Sequence, residues 1–229
     1  MPAPWHSSIS GRQPLTLTVF PTKAVSSGIW SSVFTNALAE FNALSLKHKL
    51  KVTLAATTTP PDPQGTAGAD VQFDATDGPQ TINALGDTFT TIIVNGSPVP
   101  IQVNGSGTEG LTVTLGRGGI QKAFVLVPAT PQASSRSGLV GDPVKLFIAV
   151  HELFHVVGLK NADHSPANNA DVFIGPPANT PQLIADNSTP PNPDLDAVSN
   201  GLPLRQGQKR FPPLSVSAKT AGKVRDNWP

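Results

Sequence analysis

His151 and His155 stand four residues apart, with Glu152 next to the first of them. On a helix that spacing puts both imidazoles on one face, one turn apart. From there both can reach a single divalent metal ion at roughly 2.0–2.1 Å. A carboxylate at the position of Glu152 can then take a proton from a water held by that ion. Three of the chain's five histidines, His151, His155 and His164, fall within fourteen residues. A core helix whose histidines are merely hydrogen-bonded is the plainer reading of a lone histidine. Two histidines and a glutamate on one polar arc need more, because buried polar groups are expensive without partners.

The segment carrying them reads as a helix over 143–157. Asp142-Pro143 is a start signal, with Asp as N-cap and Pro at the first helical position. Gly158 is a stop signal, since glycine takes the left-handed conformation past a helix end. Between them lies no Pro or Gly, and nearly everything is Val, Leu, Phe, Ile or Ala. Lys145, His151, Glu152 and His155 share one arc, interrupted by Ile148. A helix so apolar is expected to be buried, with its narrow polar face lining a cleft.

A catalytic zinc site typically uses three protein ligands plus water. The chain's only glutamates are Glu40, Glu109 and Glu152, so none follows the helix to serve as third ligand. The candidates just beyond Gly158 are Asn161, Asp163 and His164. The motif His151-Glu152-x-x-His155-x-x-Gly158, followed by Leu159 and a nearby donor, resembles the metzincin clan of zinc metallopeptidases. The resemblance implies a third ligand three residues after the glycine, where this chain has Asn161, a poor zinc donor. A longer loop delivering His164 is the expectation, with Asp163 as the alternative, since some members of the clan use aspartate.

The resemblance extends loosely along the chain. Residues 15–20 alternate as a strand should. Residues 29–46 read as a helix with Val33, Phe34, Ala37, Leu38, Phe41 and Leu44 on one buried face. Residues 51–54 read as a second strand and 215–228 as a closing helix. Gly116 to Phe124 is similar to the clan's edge strand above the substrate cleft, so an extended peptide is expected to pair along Ile120–Val127. The clan's methionine turn is missing: the one methionine is Met1, and Phe211-Pro212-Pro213 is the candidate for an apolar floor in its place. With no tyrosine in the chain, none can bind the metal or steady an oxyanion.

At 229 residues the chain suits one domain. The resemblance implies a two-lobed α+β domain over 1–229. Its upper lobe, about 14–160, holds a twisted mixed sheet and the zinc helix. Its irregular lower lobe, about 161–229, ends in the C-terminal helix 215–228. The absence of cysteine excludes disulfides and thiolate ligands. A net charge of +1 without a basic stripe argues against a nucleic-acid or anionic-membrane partner. The Lys47-His48-Lys49-Leu50-Lys51 cluster is expected to serve a helix end. No stretch is long and apolar enough to span a bilayer, and residues 1–14 lack the apolar run of a signal peptide, which leaves the compartment open. Pro and Gly predict long connections over 57–68 and 165–213. Asp171, Asp186, Asp194 and Asp196 in the latter fit no calcium-loop spacing and read as turn and capping residues.

The functional expectation is zinc-dependent hydrolysis of peptide bonds in a protein or peptide substrate. Zn2+ would be held by His151, His155 and His164, with Glu152 as general base. The alternative is a non-catalytic metal-binding or interaction protein that keeps the same fold. Oligomeric state and cleavage specificity are not legible in the residues.

Overall fold

The run Ala123-Phe-Val-Leu-Val127 has no polar residue in it, which is the pattern of a strand covered on both faces. The fold grows around that strand. The computed structural model describes residues 4–94, 96–132, 139–164, 171–173, 183–184, 197–198 and 214–228. The first half carries α1 (Ser7–Ser10), β1 (Thr16–Pro21), α2 (Lys23–Ser26), α3 (Ser31–His48), β2 (Thr53–Ala56) and β3 (Val71–Thr76). Short strands follow: β4 (Gly78–Pro79), β5 (Ile82–Ala84), β6 (Asp87–Phe89), β7 (Thr91–Val94), β8 (Ser97–Pro100) and β9 (Gln102–Val103). Then come β10 (Leu111–Leu115), β11 (Lys122–Pro128), α4 (Asp142–Val156) and a 3-10 turn (Asn161–Asp163). Last are the two-residue strands β12 (Leu183–Ile184) and β13 (Ala197–Val198), and α5 (Ala218–Asn227).

The class is α+β, with a five-stranded mixed sheet ordered β10-β11-β3-β1-β2. All neighbours are parallel except β10, which runs antiparallel to β11 and forms one edge of the sheet, with β2 at the other. This corrects the edge-strand expectation. The strand at 122–128 lies between β10 and β3, and every one of its residues is buried. Ala123, Val125 and Val127 join the main core with α3 and α4, whereas Phe124 and Leu126 join a second cluster with Ile82, Ala84, Ile101, Val103 and Val113. Helices therefore cover one face of β11 and the hairpin segment covers the other. Lys122 opens the strand fully buried, its Nζ donating to the carbonyls of Thr66, Ala67 and Ala69 at 2.9, 2.7 and 2.6 Å.

The same alternation orients β10. Val113 faces the second cluster, so its neighbour Thr112, paired with Val125, faces the helices. In α3 the residues Val33, Phe34, Ala37, Leu38, Phe41 and Leu44 are all buried, as their spacing predicts. The helix ends at the basic cluster, where Lys49 takes the left-handed conformation (φ 55°) and Arg225 of α5 donates to the His48 carbonyl at 2.8 Å. Leu214, Val216, Ala221, Val224 and Trp228 pack into the same core as α3 and α4. Among the described residues no helix is long and apolar enough to cross a membrane. Phe211, Asp186, Asp194 and Asp196 lie outside the described residues.

Candidate metal centre

Burial holds α4 in place before any ligand is considered. Val144, Ala149, Val150, Leu153, Phe154 and Val156 are fully enclosed. Gly141, one residue earlier than expected, takes the N-cap position, so Asp142 and Pro143 form the first turn. Lys145 does not belong to the site: its Nζ donates to the Ile29 carbonyl at 3.0 Å and pairs with Asp142 at 2.7 Å. The arc that held it on the wheel is split by the helix's length, with Lys145 about 1.7 turns from His151 and about 2.8 turns from His155.

At the other end Gly158 has φ +95°. Its N–H donates to the His155 carbonyl, and that of Leu159 donates to the Phe154 carbonyl, which is a Schellman ending with glycine in the left-handed position. Space matters there as well, because a Cβ on Gly158 would come within 2.4 Å of Pro4. The bend turns the Leu159 carbonyl back onto the helix, where it accepts from His155 Nδ1 at 2.8 Å. The 3-10 turn then coils the three residues that looked surplus in the sequence, and His164 emerges directly after it.

The result is a convergence of three rings. The ligand-capable atoms of His151, His155 and His164 all lie within 4.8 Å of one another. His155 Nε2 and His164 Nε2 are 3.3 Å apart. Two nitrogens about 2.0–2.1 Å from one ion at the tetrahedral angle would be about 3.3–3.4 Å apart. His151 Nδ1 faces the Val172 carbonyl at 2.9 Å, as His155 Nδ1 faces that of Leu159. A ring nitrogen facing a carbonyl must carry the proton, so both residues present an unprotonated Nε2. The donor set and its outer partners therefore fit a metal ion. Both helix histidines sit near the C-terminal end of α4, where the helix dipole favours a cation.

Asp163, the alternative ligand, is engaged elsewhere. It accepts from the Lys160 N–H at 2.9 Å and pairs with Lys223 at 2.9 Å. Asn161 is exposed in the 3-10 turn.

The floor beneath the three rings is Phe173, fully buried and stacked on His151 with centroids 5.1 Å apart and planes 22° apart. Its ring is also 4.8 Å from that of His155 and 4.5 Å from that of His164. Asp171 secures this segment by accepting from the Phe173 N–H at 2.9 Å and from the Thr220 hydroxyl of α5 at 2.6 Å, in keeping with a turn and capping role. Sequence reasoning missed Phe173. Its signal is the apolar pair Val172-Phe173 inside a stretch otherwise rich in Pro, Asn and Asp.

The electrostatics follow from burial. Desolvation, reinforced by the neighbouring His155, lowers His151 to about 3 and His164 to about 4, and burial also lowers His155. At neutral pH the site offers neutral imidazoles, and a metal has few protons to displace. Burial raises Glu152 to about 7, against the opposing hydrogen bond from Thr112. That bond runs from Thr112 Oγ1 to Glu152 Oε2 at 2.7 Å, with a weaker approach to the Glu152 backbone carbonyl at 3.2 Å. Thr112 was also missed in the sequence, where only its place in the alternation Leu111-Thr-Val-Thr-Leu115 marks it. No family model matches the chain, and no curated protein matches it.

Proposed function

We propose that the chain is a zinc-dependent endopeptidase related in plan to the metzincins, with His151, His155 and His164 as ligands and Glu152 as general base. The observation that carries this reading is the convergence of three imidazoles beside a buried carboxylate. Three histidines with an open fourth position suit catalytic zinc, and the chain has no cysteine to make a closed thiolate site. When bound, zinc would lower the pKa of its water to near 7 and polarise the scissile carbonyl. Glu152, with its proton affinity raised toward neutrality, accepts the proton of the attacking water and passes it to the departing amine. An ordinary surface glutamate is a weaker base for the first of these transfers.

The sheet supports the same reading. Its single antiparallel strand, β10, is the free edge beside α4, the position the resemblance implies for a strand that pairs with an extended substrate. That role moves from 120–127 to Leu111–Leu115.

The test combines metal analysis with hydrolysis of casein and of a fluorogenic peptide library, with and without a chelator. The expected result is one zinc per chain, chelator-sensitive cleavage, and an E152A variant that keeps zinc and loses turnover. Stoichiometric zinc with no cleavage of any substrate would overturn the peptidase reading in favour of a metal-binding protein.

A further inference from the structure

Thr112 in β10 and Gly110 just before it frame the Glu152 carboxylate. Thr112 donates to Oε2, and Oε1 accepts no hydrogen bond among the described residues, although Glu152 is only 4% exposed. Gly110 closes the other side. A Cβ there would lie 2.6 Å from Glu152 Cγ, 2.8 Å from Oε1 and 2.9 Å from Cδ. Gly110 does not adopt a positive φ, so its backbone suits any residue and the constraint is space alone. A hydroxyl holds one oxygen, and a missing side chain makes room for the other.

We propose that Thr112 and Gly110 are positioning residues for Glu152: the edge strand that would receive the substrate also fixes the orientation of the base. This rests on the peptidase reading for its catalytic consequence, but not for the geometry itself. A carboxylate with one anchored oxygen presents the second in a single direction, and misplacement by about 1 Å can cost on the order of 100-fold in rate. Thr112 is well suited to the task because its Cβ is branched and its strand is locked to β11 by five paired residues, so the hydroxyl has little freedom.

The closing experiment uses T112V, T112S and G110A in the zinc-loaded full chain. Valine keeps the shape of threonine and removes the donor, whereas serine keeps the donor. T112V is expected to lower kcat roughly 10- to 100-fold with KM changed less than about twofold. T112S should recover most of kcat, and G110A should lose it. All three should bind zinc stoichiometrically.

A second readout needs no turnover. The chain has only Glu40, Glu109 and Glu152, so 13C-labelling of glutamate carboxylates yields three NMR signals, and E152Q assigns the relevant one. T112V and G110A should both move the Glu152 signal, and T112S should return it toward the wild-type position. A Glu152 signal unmoved in both T112V and G110A would overturn the proposal whether or not the protein cuts peptides. A moved signal with kcat unchanged would overturn it in catalysis. Absence of any wild-type cleavage, with the signal moving as described, would sink the peptidase reading and leave the positioning geometry standing.

Discussion

Replacing Glu152 by glutamine should make the metal-free protein more stable, by an amount that grows with pH. In the folded chain burial holds this carboxyl at about 7, against an ordinary value of 4.5. Below about pH 4.5 the group is protonated in both folded and unfolded states, and its ionisation contributes nothing to stability. As pH rises from there, the unfolded chain releases the proton while the folded chain keeps it, so stability is progressively lost. Above the folded pKa the full penalty is reached. A rise from 4.5 to about 7, at about 1.4 kcal/mol for each tenfold change in proton affinity, amounts to about 3 kcal/mol, or roughly 6–12 °C in Tm for a chain of this size. Glutamine has nearly the same shape and does not titrate, and the Thr112 hydroxyl can still donate to its carbonyl oxygen. Its amide group adds a constant cost for any unmet donor, which shifts the curve without tilting it.

The assay is urea unfolding of chelator-treated wild type and E152Q between pH 4.5 and 7.5. The neighbouring histidines do not blur the comparison. His151 and His164 titrate at about 3 and about 4 in the folded chain, below that window, burial lowers His155 as well, and in the unfolded chain all three titrate alike in both proteins. The stability difference should tilt toward E152Q by about 3 kcal/mol across the window and then level off. Zinc should shrink it, because a nearby dication favours the ionised carboxylate. A pH-independent difference, or one that tilts toward wild type, would refute the claim that burial raises this carboxyl.

Two other substitutions separate ligand from scaffold. H164A should lose zinc affinity by orders of magnitude in a competition titration. D163A should keep zinc affinity near wild type, losing its partly exposed pair with Lys223 and the bond from the Lys160 N–H, together worth about 1–2 kcal/mol of stability, and the opposite ranking would reassign the third ligand. F173A should lower folding stability by about 3–5 kcal/mol and also weaken zinc binding, although Phe173 is no ligand, since its ring sets the planes of all three imidazoles. Zinc affinity equal to wild type in folded F173A would mean that the rings hold themselves.

The parts of this arrangement that were legible in the residues are those governed by local periodicity. The buried face of α3 and the paired histidines of α4 follow from 3.6-residue spacing, and Gly158 marks the bend because the left-handed position requires it. What was misread depends on pairing between distant segments. The resemblance makes 120–127 an edge, although Ala123 to Val127 is unbroken hydrophobic sequence, which favours a central strand. Once β11 is central, β10 must be the edge, and only then does Thr112 meet Glu152 forty residues away. The hairpin layer over the second face was overlooked despite Asn95-Gly96, a common two-residue turn signal. Phe173 could not be located from spacing, because its approach to the histidines is set by Asp171 and Thr220 across the chain.

The bend after α4 is also held from both ends of the described chain. The last carbonyls of a helix lack partners within it. Here the indole N–H of Trp5 donates to the Val156 carbonyl at 2.8 Å, and that of Trp228 donates to the Val157 carbonyl at 3.1 Å. Both tryptophans are buried, so neither carbonyl can turn to water without disrupting the core. The Leu159 carbonyl that orients His155 and the turn that delivers His164 start from this clamped point. Val172, which orients His151, is tied to the last segment through its N–H to the Ser215 carbonyl at 2.8 Å. A zinc finger gathers its ligands only when the metal arrives. Here apolar burial, indole caps and carbonyl partners all act on the three rings, so a metal held among them would add to contacts that the fold already makes.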